Sequence, residues 1–334
     1  MKTTLSSYCK YLAHTQINYT CTNFADHVED LSDDSVYRFL KSSHLKPSLV
    51  WKRVKTEMAQ SANGYIIFDD TVLDKTHSFE IEGVRRQYSG NAHGIIKGIG
   101  VVNCVYVNPE TNLFWVIDFR IFDPDRDGKT KLDHVDDMLK SIENRKISYR
   151  YALMDSWYAT ADLMKYFIGK GKIFYCPIKA NRKVDETGGE QAYQPVENLQ
   201  WSETDLKSGK TVKLHKFPLD EKVKLFRVAV SSNRTEFIVT NDKDQSDFDA
   251  VRLKSAQRWK SEQFHREEKQ ITGIAKCQCR RNRSQRKHIC AAVLVWIGYK
   301  KIANRVDKTV YELKHQLLKN YLIAQLIRPT FTGF

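Results

Sequence analysis

Two short apolar runs each lead straight into an aspartate: Tyr65-Ile66-Ile67-Phe68 into Asp69, and residues 149–154 into Asp155. Runs of this length and character read as buried strands. A carboxylate at the end of such a strand stands on the rim of a sheet, where the sites of α/β folds collect. A single aspartate there would read as a turn acceptor. Two of them, on two strands of one sheet, restrict what the rest of the chain can build.

The segments between and beyond follow an alternating plan. Residues 72–98 read as irregular, with Ser89-Gly90-Asn91 and Gly94 as turn chemistry. Strands are predicted over 101–107 and 113–122, joined by a hairpin loop at Asn108-Pro109-Glu110-Thr111-Asn112. A polar loop over 123–127 and a helix over 132–142 come next. The strand ending at Asp155 precedes an amphipathic helix through Leu163, Met164, Phe167 and Ile168, which stops at Gly169 and Gly171. Residues 173–176 form the next strand. Strand, hairpin, strand, helix, strand, helix, strand is the order of an RNase H-like sheet with mixed pairing, flanked by helices.

This α/β core is expected over 63–181 and 236–300. Residues 182–235 break the pattern with Gly188-Gly189 and Ser208-Gly209 turns and short strands at 212–214 and 223–230, a β-rich insertion. Residues 237–240 re-enter the core, and the chain is helical from Asp247 onward. A C-terminal helical tail is expected over 301–334. Residues 1–62 read as an N-terminal helical region that binds DNA. Its second half resembles a helix-turn-helix: a helix from Leu31-Ser32-Asp33-Asp34 with Val36, Phe39 and Leu40 as its apolar face, a turn from His44 to Ser48, and a helix over 49–58 bearing Lys52, Arg53 and Lys55. A small helical bundle without groove contact fits the same residues.

The helix after Asp247 carries a third acid. Arg258 and Glu262 lie four apart on one face, and Lys269 returns to that face two turns on. Trp259 and Phe264 point elsewhere and are expected to anchor the helix to a core, with His265 on its exposed side. An Arg-Glu-Lys stripe is usually a solvated face, and the two upstream aspartates make it more than that.

Charge points to the partner. Lys and Arg outnumber Asp and Glu by 54 to 40, a formal +14, which favours a polyanion and above all nucleic acid. The stretch with Lys276, Arg280, Arg281, Arg283, Arg286 and Lys287 is expected to meet phosphates. The apolar run 291–297 fits a short buried helix. With no run long enough to span a membrane and no secretory pattern, a cytoplasmic protein is expected. Seven cysteines, an odd number, fit reduced thiols. Cys277, Cys279, His288 and Cys290 lack the spacing of a zinc site and read as core thiols on a helix. Trp201 and Tyr193 could stack on an extruded base, or simply fill a small β core.

If the sheet forms in this way, Asp69, Asp155 and Glu262 meet at one edge. Converging carboxylates repel, and a hard divalent cation relieves them. Mg²⁺ suits such a site because it keeps waters and takes further ligands from phosphate. Two ions could activate a water or a 3′-hydroxyl for in-line attack at phosphorus. Arg258 and Lys269 would hold nearby phosphates.

Ile67-Phe68-Asp69-Asp70-Thr71, Leu153-Met154-Asp155 and the Arg258/Glu262/Lys269 spacing together resemble the DDE transposases of bacterial insertion sequences, in the group with a Tyr-Arg-Glu-Lys signature. The resemblance covers roughly residues 60–300. It implies an RNase H-like catalytic domain and cut-and-paste DNA transposition, with Asp69, Asp155 and Glu262 as ligands of two Mg²⁺ ions, for which Mn²⁺ can substitute. It also implies a homodimer on terminal inverted repeats and target DNA, nicking at the element's ends, often a hairpin intermediate, association with the nucleoid, and an N-terminal region that helps bind the ends. The signature tyrosine would fall at Ser255, which can donate to a DNA phosphate but cannot stack. Asp70 is a second candidate for the first ligand; the register of Asp-x-Thr favours Asp69.

Overall fold

The computed structural model describes residues 2–42, 45–78, 80–218, 220–231 and 234–330. The chain opens with four helices, α1 (Leu5–His14), α2 (Cys21–Asp26), α3 (Asp33–Lys41) and α4 (Ser48–Val54). Ser32 caps α3, accepting from the Ser35 N–H, and Val36 and Leu40 are fully buried one turn apart. The turn expected before α4 begins at His44, which lies outside the described residues.

The sheet comes next: β1 (Tyr65–Asp74), β2 (Arg85–Ser89), β3 (Gly94–Asn108) and β4 (Leu113–Phe122), then the short α5 (Pro124–Asp127) and α6 (Lys131–Asn144). β5 (Tyr151–Met154), α7 (Ala161–Gly169) and β6 (Ile173–Ile178) complete the first half. α6 is set by its sequence: a Thr130/Asp133 capping box opens it, and Val135, Met138, Leu139 and Ile142 bury one face at helical spacing.

β1 is central. It pairs antiparallel with β3 and parallel with β5, and β5 pairs parallel with β6. On its other side β3 carries β4 over residues 100–108 and β2 over residues 94–98. The order β4-β3-β1-β5-β6 is the mixed, helix-flanked sheet expected from the sequence, an RNase H-like arrangement.

Residues 182–235 supply β7 (Lys183–Asp185), β8 (Gln194–Pro195), α8 (Glu203–Ser208), β9 (Lys210–Leu214) and β10 (Val223–Ser231), and β11 (Arg234–Thr240) returns to pair with β6. These strands continue the central sheet in the order β6-β11-β10-β9-β7-β8. Four helices close the chain: α9 (Phe248–Ala256), α10 (Trp259–Ile271), α11 (Asn282–Val306) and α12 (Val310–Ile327). Among the described residues no helix is long and apolar enough to cross a membrane.

Several expectations are corrected. β1 does not stop at Asp69 but runs on to Asp74, because β3 keeps pairing with it to Gly98. The supposedly irregular 72–98 holds the end of β1, all of β2 and the start of β3; Gly/Asn turn chemistry at 89–94 marked only the hairpin tip. The loop at 123–127 contains α5. The buried run 291–297 is the middle of α11, which extends far beyond it because α1, α3 and α4 pack on α11 from the N-terminal side. The helix starts only at Asn282, so Cys277 and Cys279 precede it.

Candidate active site

The parallel ladder between β1 and β5 ends with Phe68 opposite Met154. Asp69 and Asp155 are therefore the next residue on each of two adjacent strands. Side chains alternate along a strand, so Asp69 and Asp70 face opposite sides. Asp69 looks toward α10, where the Ser261 hydroxyl has the Asp69 Oδ2 and the Arg258 carbonyl as alternative acceptors, each at 2.8 Å. Asp70 is occupied elsewhere: Lys131 Nζ lies 2.5 Å from its Oδ2 and the Tyr158 hydroxyl donates to its Oδ1 at 2.8 Å.

Asp155 accepts the Trp157 and Tyr158 N–H groups at 2.9 and 3.0 Å, both on Oδ1, which leaves Oδ2 uncommitted among the described residues. Glu262, in the first turn of α10, pairs with Arg258 at 3.0 Å. Arg258 also reaches Glu236 on β11 at 3.6 Å.

Asp155 and Glu262 both feel Asp69. Burial pushes Asp69 and Asp155 up to about 6, and for Asp155 the Asp69 charge adds to the rise. Glu262 is raised by burial, opposed by Arg258 and raised further by Asp69. Asp69 thus disfavours ionisation of both other acids, the electrostatic mark of a shared edge. Lys269, lowered by burial, senses the charges of Glu268, Asp74 and Asp69 from the far end of α10.

Ser255 lies in α9 and spends its hydroxyl on the Arg252 carbonyl at 3.2 Å. α9 ends at Ala256, and Arg258 begins the next helix as its N-cap residue. The two residues therefore do not share one uninterrupted helical stripe.

His265 is buried, against the expectation of an exposed side chain. Its Nε2 pairs with Asn103 Nδ2 at 3.0 Å, and its Nδ1 lies 3.9 Å from Asp69 Oδ2. An amide nitrogen only donates, so Nε2 accepts and Nδ1 carries the proton that faces Asp69. Burial pushes this histidine down to about 3, so the ring is neutral. Trp259, expected to anchor α10, is 44% exposed, and Phe264 alone fills that role, edge-on to Trp296 at 4.7 Å.

In the basic stretch Arg280 pairs with Glu80, Arg281 with Glu82 and Arg286 with Asp123, the first two on the exposed surface. Lys287 is buried and donates to the Phe39 carbonyl and the Ser42 hydroxyl at 2.7 Å. Through Arg283 and Lys287 the run also joins the N-terminal helices to the core. In the insertion, Trp201 stacks on Phe237 and Tyr193 lies edge-on to His215.

Ser261, Asn103, Lys131 and Tyr158 are site residues that the sequence reading missed. Only Ser261 carried a signal, as the neighbour of Glu262; the others follow from register and helix docking.

Among the described residues no three His, Cys, Asp or Glu side chains stand close enough to hold a metal ion as they are. The donor set nevertheless fits a hard divalent cation: carboxylate oxygens only, desolvated, with Asp69 raising the other two and Asp155 Oδ2 uncommitted. Glu262 would reach such an ion by leaving Arg258.

Residues 62–297 match the family model described as Transposase DDE domain. No curated protein matches the chain.

Proposed function

Since this chain belongs to the DDE transposase family, we propose that it cuts DNA at the ends of its own element and joins those ends to target DNA, with Asp69, Asp155 and Glu262 as the catalytic carboxylates. The observation that supports this reading is that Asp69 and Asp155 follow the last paired residues of two adjacent parallel strands, while Ser261, the neighbour of Glu262, bonds to Asp69 at 2.8 Å.

Asp69, Asp155 and Glu262 would together hold the divalent ions, Mg²⁺ or Mn²⁺. Bound there, such ions supply a polarised water or 3′-hydroxyl and neutralise charge at the leaving oxygen. The remaining work falls to the chain. Ser261 holds Asp69 in place with its 2.8 Å hydrogen bond. The neutral His265 presents its Nδ1 proton to the same carboxylate and leaves the carboxylate its full charge. Arg258 would offer a planar fork to a DNA phosphate once free of Glu262, and Lys269 a point charge further along α10. Ser255 would serve as a phosphate donor by giving up its bond to the Arg252 carbonyl.

Asp69 rather than Asp70 is the first ligand in this reading, since Asp70 is already neutralised by Lys131. Two copies act together on DNA; the exposed Tyr321, Leu322, Leu326 and Ile327 of α12 supply an apolar surface that such pairing can use.

The test is cleavage of duplex DNA carrying the element's ends by purified protein with Mg²⁺. Asp155→Asn keeps the backbone acceptor at Oδ1 and removes the charge. It should abolish cutting and leave end binding in place. Normal cutting by that variant would exclude this assignment. Binding without cutting by the parent protein in either Mg²⁺ or Mn²⁺ would favour a catalytically silent DNA-binding descendant.

A further inference from the structure

β6 ends at Ile178 and the chain turns at once, the Arg182 N–H donating to the Lys179 carbonyl at 2.9 Å. The insertion braces this turn. The Val196 and Glu197 N–H groups donate to the Arg182 and Ala180 carbonyls at 2.9 and 3.1 Å. The Arg182 backbone is thus fixed at the end of the strand that neighbours β5.

Its side chain is not answered in the same way. The guanidinium Nε and Nη2 are buried, and neither has a hydrogen-bond partner among the described residues. A buried cation left unpaired costs stability. Nε and Nη2 form one edge of the planar fork, the edge that grips two oxygens of a single phosphate or carboxylate. The acids around the turn are engaged elsewhere. Asp185 accepts from the Thr187 N–H and hydroxyl, and Glu186 pairs with Lys210 at 2.8 Å. Glu236, next to the Phe237 that faces Ile178, pairs with Arg234 and lies 3.6 Å from Arg258.

The turn borders the candidate active site. β6 lies between β5 and β11. Leu153 is opposite Tyr175, and continuing that register sets Asp155 level with Pro177, at the end of β6. Adjacent strands are about 4.8 Å apart and a β-turn closes within about 7 Å, which puts the Arg182 backbone on the order of 10 Å from Asp155. One thiol senses both residues: burial raises Cys176, the Arg182 charge lowers it and the Asp155 charge raises it.

We propose that Arg182 is a DNA-phosphate-binding residue, and that its Nε–Nη2 edge clamps a backbone phosphate neighbouring the one cut at Asp155. A phosphodiester supplies the paired oxygens that the protein withholds, and a chain of formal charge +14 favours it over a carboxylate as the incoming anion. This rests on the transposase reading for the position of the DNA, and adds a contact on the opposite side of Asp155 from β1.

The test compares the parent with Arg182→Gln and Arg182→Lys. Melting without DNA separates a ligand-binding arginine from a structural one. Arg182→Gln removes an unpaired buried charge, so it should melt no lower than the parent. Binding to a duplex carrying the element's end is read by fluorescence anisotropy across a salt series. For Arg182→Gln, affinity should fall about tenfold and the log–log salt slope should become shallower by about one. Arg182→Lys keeps the charge and loses the fork, so it should keep the slope and recover part of the affinity. Neutral methylphosphonates, placed one at a time on either side of the cut phosphate, then locate the contact. At one position the substitution should weaken the parent and leave Arg182→Gln unaffected. Equal further losses for both proteins at every position would overturn the proposal. So would a lower melting temperature with an unchanged salt slope, which would make Arg182 a structural residue. If the parent cuts while Arg182→Gln binds as the parent does, the clamp fails alone. If the methylphosphonate pattern appears but the parent never cuts, the catalytic reading fails alone.

Discussion

The Ser261 hydroxyl donates to Asp69 across 2.8 Å, so the residue beside Glu262 fixes the strand carboxylate that Glu262 must meet. Helix α10 and strand β1 are registered by one hydrogen bond between neighbours of the proposed metal site. Hydrogen bonds to a charged group contribute about 1.5–3 kcal/mol, and this one also opposes the rise in the Asp69 pKa. Ser261→Ala should therefore cost about tenfold or more in cleavage rate and move the acidic limb of the pH–rate profile upward. Ser261→Thr keeps the hydroxyl and should retain that limb. An unchanged limb in the alanine variant would show that the bond does not govern Asp69.

Arg258 stands between two acids, Glu262 at 3.0 Å and Glu236 at 3.6 Å. While it holds Glu262 it cannot hold a phosphate, and Glu262 cannot hold a cation freely. Arg258→Ala should separate these roles. Metal affinity, read by titrating Mg²⁺ against melting temperature, should rise, while DNA affinity falls and its salt slope drops by about one. Both quantities moving in the same direction would contradict the exchange.

Metal should stabilise the protein, and more so as the pH rises. Burial raises Asp69 and Asp155 to about 6 in the folded chain, above the ordinary carboxyl value. The folded state then binds more protons than the unfolded one between about pH 4 and 6, so metal-free stability declines across that window. A cation at the site opposes this loss only when the acids are ionised. The Mg²⁺-induced shift in melting temperature should be small at pH 5 and clear at pH 8, and Asp155→Asn should raise metal-free stability at pH 8 while diminishing the shift. Equal shifts at both pH values would mean that Mg²⁺ binds elsewhere.

Much of this was legible in the chain itself. The Phe68-Asp69 and Met154-Asp155 junctions marked the ends of the parallel ladder because an apolar run followed by an acid is a local pattern. Arg258 and Glu262 were legible as a pair for the same reason, being four apart. What escaped was set by non-local register. Nothing near Asn103 announces that it lies opposite Asp69, nor anything near His265 that docking would bury it. The continuation of β1 to Asp74 was hidden because charged residues in a strand read as its end, while the long partner β3 supplied the missing pairing. The ion pairs of the basic run at 276–287 were hidden because the partners Glu80, Glu82 and Asp123 are far away in sequence.

Glu268 gives the last prediction. Its side chain is fully buried on α10, and neither carboxylate oxygen has a hydrogen-bond partner among the described residues. Burial pushes it up to about 8, so at neutral pH it is protonated in the folded protein and ionised once unfolded. Between its unfolded value and about pH 8 the native state holds one proton more than the unfolded state. Each pH unit in that window then removes about 1.4 kcal/mol of stability from this group alone. Glu268→Gln keeps the shape of the neutral acid and removes the titration. Its denaturant midpoint should match the parent near pH 5, exceed it increasingly toward pH 8, and flatten the stability–pH profile. Parallel profiles for the two proteins would place the parent's pH sensitivity in some other group.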